Sequence, residues 1–291
     1  FSNNFLRIKQ EADRETLKLV ASTLEAQEAS YALIRKRRDV GLVSDLDLRR
    51  AQSQVEVARG DVARYTQWVA QDENVLGLLV GAPIPPALLP VDLDGVRPPR
   101  EVSPGLASET LLSRPDILAA EHRLKAAHAN IGAARAAFFP RISLTAALGT
   151  ASADLSGLFK SGSGAWSFAP QIVMPIFDAR TWSAYTVTQV DKDIAVAQYE
   201  KAIQAAFREV ADALATAGTV NRQIAAQRSL VEAVAETYRL SQARYDRGVD
   251  SSLAVLDAQR SLYAAQQGLI ALIHAGLASR VTLYRVLGGG A

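Results

Sequence analysis

Three histidines, His122, His128 and His274, are the only imidazoles in the chain, and it has no cysteine. Metal centres and nucleophilic sites need such groups clustered at ligand or triad spacing. His122 and His128 are not an i, i+4 pair, and no acidic pattern joins them, so no metal site is expected. Without cysteine, disulfides, thiolate ligands and Cys nucleophiles are excluded. No G-x-S-x-G elbow, Walker loop or Gly-rich dinucleotide fingerprint is present. The expectation is a protein that is not an enzyme and holds no cofactor. The polar features that remain are sparse. Arg35, Lys36, Arg37 and Arg38 form a basic cluster whose ordinary reading is a solvated face. Leu253 and Asp257 are i and i+4, which puts an apolar group and a carboxylate on one helix face. Arg260, one turn beyond Asp257, makes a plain surface ion pair the simplest role for both.

Composition narrows the classes further. The chain has 291 residues, 32 Lys+Arg against 30 Asp+Glu, and a net charge of +2, so nothing in the charge points to nucleic acid. No run of about 18 uninterrupted apolar residues exists, so no transmembrane helix is expected. A membrane β-barrel escapes that test, because its strands alternate. Met174 is the only methionine and residue 1 is Phe, so the sequence reads as part of a longer or processed chain.

The elements that carry these residues are repeated. Shifting the sequence by 207 residues superposes Leu33, Arg37, Asp39 and Gly41 on Leu240, Arg244, Asp246 and Gly248. The same register carries Leu46, Ala51 and Gln52 onto Leu253, Ala258 and Gln259, and reaches Leu283 and Gly288 from Leu76 and Gly81. Each copy reads as helix, turn, helix, rich in Ala, Leu, Gln, Arg and Glu. Gly41 and Gly248 suit helix C-termini, and Ser44 and the 250–252 stretch suit N-caps. The second copy is predicted as helices from about Asp178 to Asp246 and from about Leu253 to Leu287. The first of these reaches on the order of 100 Å at 1.5 Å per residue, which implies coiled-coil-like packing. About one residue in six is Ala, which favours small seams where each helix has two neighbours over a two-stranded Leu zipper.

Between the copies, eight of the 11 prolines fall in 83–115, so residues 82–116 are expected as a linker or small irregular layer. A helix is expected over 117–137, and 138–177 carries the strand signal. Ile142, Leu144, Ala146 and Leu148 alternate with Ser143, Thr145, Ala147 and Gly149. Trp166, Phe168, Ile172 and Met174 alternate with Ser167, Ala169, Gln171 and Val173. Each run is about ten residues, the length that spans a bilayer as a tilted strand. Phe138, Phe139 and Phe177 lie at one end, Trp166 and Phe168 at the other, as an aromatic belt requires. A soluble hairpin is the competing reading, but two strands with a full apolar face are not stable alone in water.

Several ordered motifs carry a resemblance. Arg114-Pro-Asp-Ile-Leu-Ala-Ala-Glu121, the run Ala129 to Leu144, Trp166-Ser-Phe168, Pro175-Ile-Phe-Asp178, Phe207 to Leu214, Val255-Leu-Asp-Ala-Gln-Arg260 and Leu283-Tyr-Arg-Val-Leu-Gly-Gly-Gly290 resemble the outer-membrane factor family. The branch is that of OprM/NodT-type efflux lipoproteins, relatives of TolC. The resemblance covers nearly the whole chain. It implies a mainly α fold with a β-hairpin: long antiparallel helical hairpins forming an α-barrel tunnel, plus strands of a trimeric twelve-stranded outer-membrane β-barrel. On that pattern, 1–81 is the first helical hairpin, 82–116 an equatorial segment, 117–137 a helix leading to the barrel, 138–177 the transmembrane hairpin and 178–291 the second helical hairpin with the C-terminal segment. The repeat places another hairpin before residue 1, and the resemblance implies that the same part holds the signal peptide and the lipidated, palmitate-bearing Cys of the lipoprotein branch.

The function implied by the resemblance is passive conduction from a periplasmic pump to the exterior, through the outer membrane of a Gram-negative bacterium. The implied partners are two further copies of the chain, a periplasmic adaptor, an inner-membrane pump of the resistance-nodulation-division type and outer-membrane lipid. A type I protein-secretion channel of the same fold is the alternative. The resemblance places a periplasmic gate at Leu253, Asp257 and Arg260, against the plain surface pair above. Gly41, Leu46 and Gly248 mark the tips and the candidate adaptor contact, with a solvated turn as the other reading. The membrane-facing residues are Ile142, Leu144, Leu148, Trp166, Phe168, Ile172 and Met174.

Overall fold

Good helix formers occupy long stretches without Pro or unsupported Gly, and the chain folds accordingly into five α-helices and one β-hairpin among the described residues. The structure is a computed structural model and describes residues 2–85, 93 and 113–288. Most of the Pro-rich stretch expected as a linker lies outside these residues. The chain divides into two units, one of residues 1–107 and 208–291 and the other of residues 108–207.

In the first unit, α1 (Ser2–Asp39) and α2 (Asp45–Val80) form an antiparallel hairpin, and α5 (Ser252–Val286) packs against both. The last part of α4 (Ala179–Asp246) belongs here too. The 207-residue repeat holds at the backbone. α1 ends at Asp39 and α4 at Asp246, while α2 begins at Asp45 and α5 at Ser252. Gly41 and Gly248 have φ of 78° and 75°, and Gly81 and Gly288 have φ of 78° and 93°. These left-handed residues sit just beyond a helix end, where a side chain would be strained. The N-caps Ser44 and Ser251 have near-identical dihedrals, φ −83°, ψ 159° and φ −80°, ψ 158°.

The core is a set of narrow seams. Leu48, Ala51, Val55 and Ala58 are buried on α2 at spacings of three, four and three, the coiled-coil period. Ile34, Leu48 and Ala51 form one cluster, flanked by Tyr31 and Val43. Small residues let α5 come close to α4. A Cβ added at Gly276 would meet Ile224 Cδ1 at 3.3 Å and Val220 Cγ2 at 3.5 Å, and Gln227 Nε2 donates to the Ala265 carbonyl at 2.8 Å. Gly276→Val should therefore overpack this seam and cost about 1–3 kcal/mol, seen as a lower Tm.

Although no uninterrupted apolar run exists, α5 is long and apolar enough on average to cross a membrane. Val255, Leu256, Ala258, Ala265 and Val281 on this helix are buried, and most of its apolar stretch is only partly covered.

Polar groups also tie α1 to its neighbours. Lys9 Nζ donates to both oxygens of buried Asp72, at 2.6 and 2.8 Å, and to Asp13 at 2.9 Å. Nearby on α5, His274 meets the Phe5 ring edge-on at 6.1 Å, and its Nε2 is buried without a hydrogen bond. Burial holds this imidazole below its ordinary range; Asp13 opposes the shift and Lys9 reinforces it. The folded pKa lies below the unfolded one, so the unfolded chain binds the extra proton. The stability is present above about pH 6.5 and is lost as pH falls through the folded value. Tm should fall as pH drops below about 6.5, and His274→Gln should flatten that slope.

In the second unit, α3 (Pro115–Ala136) starts with Pro at its first position, where the missing N–H costs nothing. Arg114 lays its Nε and Nη2 on the Asp116 carboxylate at 3.0 and 2.6 Å. The same carboxylate accepts the Ile117 N–H at 3.0 Å, so the Arg-Pro-Asp run is a helix-start device. β1 (Arg141–Thr150) and β2 (Gly164–Val173) pair antiparallel in one two-stranded sheet, and α4 follows.

Candidate functional site

Two places concentrate features that packing does not explain: the tips of the helical hairpins and the faces of the β-hairpin.

At the first tip, Ser44 and Asp47 form a reciprocal capping box. The Ser44 Oγ accepts the Asp47 N–H at 3.2 Å, and the Asp47 carboxylate accepts the Ser44 N–H at 3.3 Å. The second tip lacks this device, since the residue matching Asp47 is Ala254 and Ser251 makes no side-chain cap. Instead, Ser252 Oγ reaches across and donates to Asp47 Oδ1 at 2.9 Å. One carboxylate thus caps its own helix and joins the two hairpins. The hydrogen bonds from Ser44, with that from Ser252, hold Asp47 below the usual carboxylate range despite partial burial. A second link stacks the Arg37 guanidinium 4.8 Å from the Tyr245 ring centroid. Within the second tip, Arg244 forks onto Asp250 at 2.6 and 3.0 Å. Between the tips lies a cleft of about 690 Å³ bordered by Arg37, Leu42, Asp47, Tyr245, Asp250 and Ser252.

Leu253 and Asp257 share one face of α5 and lie on its open side. Their neighbours Ser252, Val255, Leu256, Ala258 and Gln259 are buried. Leu253 is 38% exposed. Arg260 Nη2 pairs with Asp257 Oδ1, and both side chains are more than half exposed. Val40, Leu42, Leu46 and Val249 stand exposed around Gly41 and Gly248, an apolar rim at the turns.

Further along the hairpins, Tyr263 Oη donates to Asp61 Oδ2 at 2.9 Å and accepts from Gln267 at 2.7 Å. Burial, then the Asp61 carboxylate, pushes this phenol well above its ordinary value. Sequence reading missed this link and the Ser252–Asp47 link. Only the Ser-x-x-Asp pattern at 44–47 signalled that Asp47 had a local role.

His122 and His128 are exposed, and no group of three or more His, Cys, Asp or Glu among the described residues is arranged to hold a metal.

The β-hairpin register sorts the two faces completely. Ile142, Leu144, Ala146 and Leu148 stand opposite Ile172, Pro170, Phe168 and Trp166, so one face is wholly apolar. Ser143, Thr145, Ala147 and Gly149 stand opposite Gln171, Ala169, Ser167 and Ala165 on the other. Both faces are open; Leu148 is 91% exposed and Trp166 is 77% exposed. Two expectations need correction. Met174 falls one residue past β2; the position opposite it in the register is Pro140, which has no N–H to extend the ladder. Phe168 pairs with Ala146 in the middle of the ladder, so Trp166, opposite Leu148, is the strand aromatic nearer the loop.

Long helical hairpins and a β-hairpin open on both faces match solved outer-membrane channel structures. The chain belongs to the outer membrane efflux protein family, whose model matches residues 106–289. It is 54% identical over 280 residues to the toluene efflux pump outer membrane protein TtgF of Pseudomonas putida, covering 96% of this chain and 58% of that protein. With the outer membrane protein OprJ of Pseudomonas aeruginosa it shares 46% identity over 277 residues, 94% of this chain and 58% of OprJ. The crystal structure of a Pseudomonas aeruginosa membrane protein superposes with a TM-score of 0.76 at 42% identity, over 99% of this chain and 65% of that one. The open state of the Neisseria gonorrhoeae MtrE outer membrane channel does so with a TM-score of 0.73 at 37% identity, over 99% and 65% of the respective chains. The chain thus spans somewhat under two thirds of these relatives' lengths.

Proposed function

We propose that the protein is a subunit of an outer-membrane channel in a tripartite efflux pump of a Gram-negative bacterium. Three copies share a β-barrel, and the helical hairpins form a tunnel into the periplasm. Small molecules delivered by an inner-membrane pump through a periplasmic adaptor pass out without chemical change. The observation that carries this reading is the β-hairpin, with one continuous apolar face for lipid and one small, polar face for a water-filled lumen. Relatives named for toluene, solvent and antibiotic efflux support small organic molecules as the cargo.

The gate in this reading lies at the tips. Under three-fold symmetry Leu253 becomes an apolar ring, which resists wetting, and Asp257 with Arg260 becomes a charged ring one turn away. The Ser252–Asp47 and Arg37–Tyr245 links hold the second hairpin against the first, so release of the links and opening of the ring go together. The rim around Gly41, Leu46 and Gly248 is the surface offered to the adaptor.

Expression of the natural-length protein with its adaptor and pump, in a strain lacking its own outer-membrane efflux channels, tests the function. Restored resistance and lower dye accumulation are expected. Unchanged accumulation with all three components assembled would contradict it.

A further inference from the structure

Where the β-hairpin runs into the helices, the apolar face does not stop. Phe139, Ile176, Phe177 and Trp182 are 69%, 77%, 99% and 65% exposed. Behind them the site is ordered. Phe138 meets Trp182 edge-on at 5.1 Å and Tyr185 at 6.1 Å. The Arg135 guanidinium lies 5.8 Å from the Tyr185 ring centroid, with Nε and Nη2 each 3.3 Å from the Tyr185 hydroxyl. Gln189 holds the same hydroxyl from the other side at 3.1 Å.

The charge here is one-sided. Arg135 is exposed and makes no ion pair among the described residues. The nearby carboxylate, Asp178, is committed to the start of α4, accepting the Arg180 N–H at 2.9 Å and the Thr181 hydroxyl at 3.1 Å. Arg141 is different. The register places it with Ser143 and Thr145, on the face opposite Ile142.

We infer that Arg135, held against Tyr185 beside the Phe138–Trp182 pair and the exposed Phe139, binds the phosphate of an anionic phospholipid in the leaflet on the helical side of the membrane. This rests on the membrane reading above. The aromatic side chains match the headgroup depth. A guanidinium offers phosphate a planar fork. Tyr185 already orders Arg135, which lowers the entropy lost on binding, and it leaves three of the five guanidinium N–H groups free to donate. Continuity with the lipid-facing strand face and the absence of a committed counter-charge both favour an anionic headgroup over a protein partner.

The test is lipid retention by the natural-length protein in mixed micelles of phosphatidylglycerol and phosphatidylethanolamine in equal amounts, read by native mass spectrometry. A preference for phosphatidylglycerol of about fivefold is expected, from the attraction of one basic side chain near a surface. Arg135→Gln should remove the preference, and Arg141→Gln should keep it. Excess inorganic phosphate should not displace the lipid; displacement would mean a free-anion site instead. Equal retention of the two lipids by the unmodified protein overturns the inference and needs no variant. So does an unchanged preference in the Arg135 variant. Failure of the membrane reading looks different: the protein would then stay dispersed without detergent and retain neither lipid.

Discussion

Leu144→Arg should cost about 2–4 kcal/mol and sharply reduce the amount of assembled protein in the outer membrane, whereas Thr145→Arg, one residue away, should be tolerated. Leu144 stands opposite Pro170 on the face shared with Ile142, Leu148, Trp166 and Phe168. All of these are exposed within the protomer, so neither substitution disturbs a packed core. The asymmetry can arise only from what covers each face. A guanidinium held in hydrocarbon near the bilayer centre loses its hydration, while one in a lumen keeps it. Thr145 stands opposite Ala169 on the small and polar face, where an added side chain meets water. The measurement is the heat-modifiable, folded fraction in isolated outer membranes. Equal loss from both variants, or none from either, would mean that the faces do not separate lipid from water.

The second large effect concerns conduction. Leu253→Ala and Asp257→Ala should each make the channel leakier while leaving its assembly intact. Both side chains lie on the open side of α5, and the Asp257–Arg260 pair is solvent-exposed in the protomer. Truncating either should change protomer stability by no more than about 0.5 kcal/mol, the usual range for surface sites. Their proposed role appears only when three copies meet. A loss of about 1.4 kcal/mol from the closed state raises the open fraction about tenfold. Conductance in planar bilayers, or entry of a large antibiotic normally excluded by the outer membrane, reads this directly. Asp47→Ala should act in the same direction, because it removes both the link from Ser252 at 2.9 Å and the cap on α2. An effect from Asp47→Ala with none from Leu253→Ala or Asp257→Ala would move the constriction away from α5 and toward the inter-hairpin contacts.

Much of the architecture was legible because it is periodic. The 207-residue offset aligned Gly41 with Gly248 and Ser44 with Ser251, and these pairs share backbone conformation because the same turn requires the same left-handed residue and cap. Alternation over 142–148 and 166–172 assigned the strand faces without knowledge of the register. Single contacts between distant residues were not legible. Ser252 and Asp47 lie 205 residues apart and Tyr263 and Asp61 lie 202 apart, and neither pair has a repeating signature. The offset even obscured the first, since it matches Asp47 with Ala254. The capping role of Asp47 was local and readable; its second bond depends on how two hairpins lie side by side. Met174 shows the limit of alternation, which continues through a residue after the ladder has ended.

Copies of this protein are proposed to close into a membrane channel. The most direct measurement is the mass and detergent-free behaviour of the natural-length protein extracted from outer-membrane fractions. A particle of three copies that needs detergent and conducts ions in a planar bilayer is expected. A single chain recovered without detergent from the periplasmic fraction would contradict it, and would make the apolar face of the β-hairpin an interface between proteins.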